Sequence, residues 1–166
     1  MPLPRHNAGT ALRGRRIRCG LALLLTSLVA ACVPHTPPTS PAATDHTWQI
    51  TGYRMPGVSA LDAAAAERLR GDFIHLRPER ASNSHDTCEA PTYTETAHAA
   101  GPFLDTEYRV SLAALGLPRN ATVRVIEVDC GGQRWTALGG RVLSFGTSGD
   151  YAVWDGVFFR LRRVHL

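Results

Sequence analysis

After about residue 45 the chain alternates apolar and polar positions in short runs, and before it a single apolar run stands apart. Trp48-Gln-Ile-Thr-Gly-Tyr53 puts Trp48 and Ile50 on one face, the period-2 pattern of a strand. From Ser59 to Gly71 the spacing becomes helical, with Leu61, Ala65 and Leu69 recurring every four residues. Ser59 is placed to cap the first turn, with Asp62 three residues on as a short-armed capping box. Arg68 and Arg70 suit the negative end of the helix, and Gly71 stops it. The rest of that face is alanine, which predicts close packing rather than a site.

Asp72 to Arg77 reads as a strand, Arg80 to Pro91 as polar and irregular, and Tyr93 to Ala97 as a weak strand. Tyr108 to Leu112 reads as another short strand, followed by a helical turn to Leu117 that Gly116 and Pro118 end. Ala121 to Cys130 is the strongest strand. Val123 and Val125 share one face and Ile126 and Val128 the other, a phase change that predicts either a bulge or burial on both faces. Arg141–Phe145, the turn residues Gly146–Asp150, Tyr151–Trp154 and Val157–Leu161 resemble a meander. The Asp155-Gly156 pair predicts a hairpin. The competing reading is one strand from Tyr151 to Leu161 buried on both faces, and turn propensity favours the hairpin. Strands and helices do not alternate, which argues against a parallel nucleotide-binding sheet. The expected fold is α+β, mostly β with one helix: a small antiparallel barrel or half-barrel over residues 46–166 with one disulfide.

The apolar run near the start is Leu21-Ala-Leu-Leu-Leu-Thr-Ser-Leu-Val29. Arg13-Gly-Arg-Arg-Ile-Arg18 precedes it as a positive n-region, and Ala30-Ala31 supplies small residues for a cut. The uncharged stretch from Cys19 to Val33 is shorter than the ~20 residues a spanning helix needs. Pro34, Pro37, Pro38 and Pro41 forbid its extension. Leu28-Val-Ala-Ala-Cys32 resembles the lipobox of bacterial lipoproteins, with Val29 in place of the commonest leucine. The resemblance implies that residues 1–31 are a signal peptide, that the Cys32 thiol receives a diacylglyceryl group, and that a dedicated peptidase cuts before it, after which the new amino terminus is usually acylated. More than one acyl chain is what stable anchoring takes, at ~0.8 kcal/mol per buried methylene. Residues 32–45 then form the lipidated cysteine and a Pro/Thr-rich tether, extended at ~3.1 Å per residue. A residue other than Asp after the cysteine, here Val33, implies delivery to the outer membrane, facing the periplasm.

This leader changes the picture of charge. The net charge is +4, yet five arginines and no acid precede Cys32, so 13 basic residues face 14 acidic ones after residue 31. The mature chain is near neutral, and a nucleic-acid partner loses its main support. All 18 basic residues are arginine, so lysine-based Schiff-base or general-base chemistry is excluded. Of the four cysteines, Cys19 falls in the leader and Cys32 is the lipid site. Cys88 and Cys130 remain as the expected pair in an oxidising compartment.

Motifs for chemistry are sparse. The sequence has no G-x-S-x-G elbow, phosphate loop, H-E-x-x-H helix or paired C-x-x-C, and no catalytic residue or cofactor is assigned. His85-Asp-Thr-Cys-Glu89 gathers three metal-ligating side-chain types, but at no standard spacing, so a solvated loop is the preferred reading and no metal is assigned. His75 alternates with Phe73, which places it on a polar or half-buried strand face. Asn120-Ala-Thr122 fits a glycosylation sequon that has no meaning in a bacterial setting. Trp154, Phe158 and Phe159 are candidate binding aromatics, with core filling as the competing role.

The expected function is therefore a lipid-anchored, non-enzymatic binding or inhibitor domain of the cell envelope. In general plan (leader, lipobox, tether, compact β-domain with a disulfide) the chain resembles small envelope lipoproteins such as lysozyme inhibitors. The membrane, through lipid on Cys32, and an envelope protein or secreted hydrolase are the partners this implies. The alternatives are a structural or assembly lipoprotein that meets another envelope protein through a sheet edge, and, ranked last, a cell-wall or lipid hydrolase.

Overall fold

The computed structural model describes residues 45–164. The expectations for the signal peptide, Cys32 and the tether up to residue 44 lie outside the described residues. The rest forms one antiparallel sheet rolled into a half-barrel, with three short helices.

Ten strands follow in chain order: β1 (His46–Arg54), β2 (Phe73–Leu76), β3 (Arg80–Ser82), β4 (Thr87–Glu89), β5 (Thr92–Ala99), β6 (Thr122–Cys130), β7 (Gln133–Arg134), β8 (Arg141–Ser144), β9 (Asp150–Trp154) and β10 (Val157–Val164). Across the sheet the order is β4-β3-β2-β1-β10-β9-β8-β6-β5, with β7 folded back on β6. The meander read from the sequence is β8-β9-β10. Its last turn is the expected hairpin: Trp154 pairs with Val157, and Asp155 and Gly156 both take positive φ, 49° and 80°. The single-strand alternative is excluded.

The phase change on β6 is burial on both faces, not a bulge. Its register with β5 runs unbroken over eight pairs. Ile126 and Val128 join the core inside the roll with Trp48, Ile50, Ile74, Leu76, Val142, Val157 and Phe159. Val123 and Val125 join a second core on the outer face with Leu143, Tyr151 and Phe158. Two helices close that second core: α2 (Ala100–Tyr108), through Ala100 and Leu104, and α3 (Leu112–Leu115), through Leu115.

Three expectations need correction. The helix expected from Ser59 is α1, only Ala63–Arg68, and its cap is Asp62, whose carboxylate accepts from the Ala65 N–H at 2.7 Å. Ser59 is diverted because its hydroxyl donates to the Leu61 carbonyl at 2.8 Å while the Ala60 N–H binds Asp155 in the hairpin turn. Tyr108–Leu112 is not a strand: Tyr108 ends α2, Arg109 takes the left-handed cap at φ 58°, and Ser111 caps α3. The polar stretch from Arg80 to Pro91 holds the two short strands β3 and β4, around a turn in which the Asn83 side chain accepts from the His85 and Asp86 N–H groups.

Cys88 on β4 and Cys130 at the end of β6 are bonded, with Cα atoms 5.8 Å apart. The bond joins β4, at one end of the open sheet, to β6, the strand next to the other end. Near the same seam, the Tyr93 hydroxyl of β5 donates to the Arg77 carbonyl at 2.6 Å.

Candidate functional site

A surface cleft of about 270 Å³ opens between the segment from Arg134 to Arg141 and the β9–β10 hairpin. Two indoles, Trp135 and Trp154, line it with Tyr108, Arg134 and Arg141. The Trp135–Gly140 loop is hung on one strand residue: the Trp135 N–H donates to the Val128 carbonyl and the Val128 N–H donates to Gly140. The Trp154 indole donates to the Thr136 carbonyl at 3.1 Å, and the Asn83 amide donates to the Leu138 carbonyl at 2.8 Å. A side chain at Gly140 would collide with the Trp135 carbonyl, so only glycine permits this tight return. The wall is thus held by the Val128 backbone and by the Trp154 and Asn83 side chains, which preorganises it.

A charged cluster forms the cleft's inner edge. Arg141, whose side chain is 18% exposed, is bonded to Glu127 through Nε and a terminal nitrogen, to Glu107 at 3.1 Å and to the Tyr108 hydroxyl at 3.0 Å. Burial alone would lower the Arg141 pKa, but the hydrogen bonds and charges of Tyr108 and Glu127 raise it above the ordinary arginine value. Burial raises the Tyr108 phenol. Arg134 bonds Glu127 at 3.1 Å but stays 57% exposed. Glu127 is already engaged by Arg141, so Arg134 can turn to a ligand at little cost.

Beside the cleft, the segment Met55–Ala60 crosses the hairpin turn. The Ala60 N–H donates to the Asp155 carbonyl at 2.9 Å. A Cβ at Gly156 would run into the Val58 carbonyl and Ser59. This contact explains why the hairpin needs glycine there beyond its positive φ. Val58 is 98% exposed, held on a pinned segment.

The chain matches no protein-family model, and no curated protein or solved structure shows significant similarity to it.

The residues singled out in the sequence separate. Phe158 and Phe159, 1% and 0% exposed, point to opposite faces of β10 and fill the outer and inner cores respectively. Trp154 is half-buried and lines the cleft. His75 is half-buried, stacked on Phe73 and bonded to the Thr47 hydroxyl at 3.1 Å. The His85–Glu89 group does not converge: Cys88 is in the disulfide, Glu89 pairs with Arg80, and His85 lies 4.0 Å from Asp72. Among the described residues no three His, Cys, Asp or Glu side chains approach one another closely enough to hold a metal. Trp135, Val58, Arg134, Arg141 and Tyr108 had no signal of their own in the sequence. The nearest to one is the Gly139-Gly140 pair shortly after Trp135, a hint of a tight loop presenting an aromatic.

Proposed function

We propose that this chain is a lipid-anchored, non-enzymatic binding domain of the bacterial cell envelope, held by lipid on Cys32 at the outer membrane and engaging an envelope protein or secreted hydrolase in the periplasm. The observation that carries the binding role is the pinned Met55–Ala60 segment, with Val58 98% exposed beside a cleft of two tryptophans, a tyrosine and two arginines. Aromatic residues and arginine are the side chains that most often dominate protein–protein binding energy. A rigid projection next to a concave cleft fits a folded protein partner, because both parts are fixed before contact and little ordering is lost on binding. The lipobox-like Leu28–Cys32 segment supports the location.

The test is capture from solubilised envelope and culture supernatant with the full chain as bait. One protein should be recovered by the parent and lost from both Val58→Asp and Trp135→Ala, with circular dichroism unchanged. Recovery of the same protein by parent and both variants defeats the reading.

A further inference from the structure

The two ends of the half-barrel sheet are unequal. Strand β4, at one end, has three residues and is fastened by the Cys88–Cys130 bond. Strand β5, at the other, has eight residues, pairs with β6 over its whole length without a bulge, and contains no proline. Among the described residues, no backbone hydrogen bond from another segment reaches its outer edge. Its one charge, Glu95, is neutralised by Arg124 at 3.4 Å. Long, flat, uncharged edges are what soluble β-proteins ordinarily guard against, because such an edge is a template for another strand.

We infer that β5 is an interface on which two copies of this chain pair edge to edge, antiparallel, about a two-fold axis at Thr96. This goes beyond the proposed binding role of the cleft and does not depend on it. The choice of a second copy rests on charge and register. With Thr96 opposite itself, Glu95 faces the partner's Ala97 and Thr94 faces the partner's His98. Arg124 is the β6 neighbour of Ala97. Each Glu95 therefore lies two strand spacings of ~4.8 Å from the partner's Arg124, with only an alanine between. Arg124 holds its own Glu95 through one terminal nitrogen and its side chain is 53% exposed, so its remaining N–H donors are what reaches across to the partner's Glu95. Both copies make this contact, so the pairing is reciprocal and closed, as a two-fold interface must be. Sliding by two residues one way sets Glu95 against itself, which repels. Sliding the other way sets Glu95 against Ala99 and offsets it by two residues from the partner's Arg124, which lengthens the contact. The exposed Thr94 and Thr96 suit β-structure, and Thr96 meets the partner's Thr96 hydroxyl at the axis.

Single cysteines read the register. The full chain carrying Thr96→Cys, expressed in bacteria, should give a reducible dimer on non-reducing electrophoresis of the envelope, since Thr96 meets itself. Thr94→Cys alone should stay monomeric, and Thr94→Cys with His98→Cys should cross-link again. The unsubstituted chain sets the background from Cys19 and Cys32. For the parent purified in detergent, light scattering should give twice the mass found for Thr96→Lys, which places like charges on the axis, at an unchanged melting temperature. Four outcomes overturn the inference: no dimer with Thr96→Cys, equal cross-linking by Thr94→Cys, capture of a different protein at Thr96→Cys, or a dimer that survives Thr96→Lys.

Discussion

The Trp48 indole N–H donates to the Asp150 carboxylate at 2.9 Å, joining buried residues on strands β1 and β9 that lie 102 positions apart in the chain. Arg163 donates to the same oxygen at 3.0 Å and covers the Trp48 ring at 5.7 Å. The carboxylate thus ties three strands together at one end of the half-barrel.

This tie has a pH dependence. Burial on its own would raise the Asp150 carboxyl, but hydrogen bonds from Ser144, Trp48 and Arg163, with the Arg163 charge, outweigh it and hold the group below the ordinary value of 3.8. A carboxyl lowered in the fold contributes stability that is complete above its unfolded pKa and is lost as pH falls through the folded one. The parent should therefore lose stability below about pH 4 more steeply than Asp150→Asn, which lacks this titration. At neutral pH the variant should be weaker by about 1.5–3 kcal/mol, the range for hydrogen bonds to a charged group. Urea unfolding at pH 7 and at pH 3 checks both arms, and parallel pH profiles for the two proteins exclude Asp150 as the cause.

The disulfide is expected to matter as much as any core residue. It closes a 42-residue separation, for which chain entropy gives about 4 kcal/mol. Reducing the bond, or replacing Cys88 and Cys130 together by serine, should lower the melting temperature by more than about 10 °C for a domain of this size. Calorimetry with and without reductant measures it.

The chain's local signals reached as far as local chemistry governs. Asp155-Gly156 specifies its own turn, so the hairpin was legible. The apolar residues of β6 announced burial on two faces, but not what covers the second. That cover includes α2, which begins Ala100-Gly-Pro-Phe and has no side-chain cap at Ala99. Pro102 is tolerated because the first-turn N–H groups need no helical partner. The helix forms because Leu104 must cover the outer core with Val123 and Phe158, a tertiary demand that overrides weak propensity. The cleft was hidden for the same reason. Tyr108, Trp135 and Trp154 come from three distant segments, and only the register brings them together.

The anchor prediction is covalent. Cys32→Ser removes the only thiol at the lipobox-like cut site, so the product should be unprocessed or soluble rather than a cleaved membrane protein. Immunoblots of fractionated cells carrying the parent and the variant decide it, and normal processing with membrane retention of Cys32→Ser rules out the lipid anchor.

The three aromatics of the last hairpin should part company under mutation. Phe158 packs edge-on against Tyr108 at 5.2 Å and near Tyr151 at 6.4 Å in the outer core. Phe159 sits in the inner core opposite Ala152. Truncating either to alanine removes a fully buried ring, at a cost of about 3–5 kcal/mol. A domain whose whole stability is about 5–15 kcal/mol should be left marginal or unfolded. Trp154 differs, because its ring lines the cleft and its indole holds the Thr136 carbonyl at the opposite wall. Trp154→Ala should cost about 1 kcal/mol for the lost hydrogen bond plus a partial burial term, and leave a folded domain. Trp154→Phe keeps most of the ring but removes the N–H, so it tests the loop support apart from the apolar contact. Thermal melts should therefore rank Trp154→Phe above Trp154→Ala and both well above Phe158→Ala and Phe159→Ala. Partner capture should fall for Trp154→Ala even where its melt is near that of the parent. A Trp154→Ala protein as unstable as Phe158→Ala would assign the indole to the core and remove it from the binding surface.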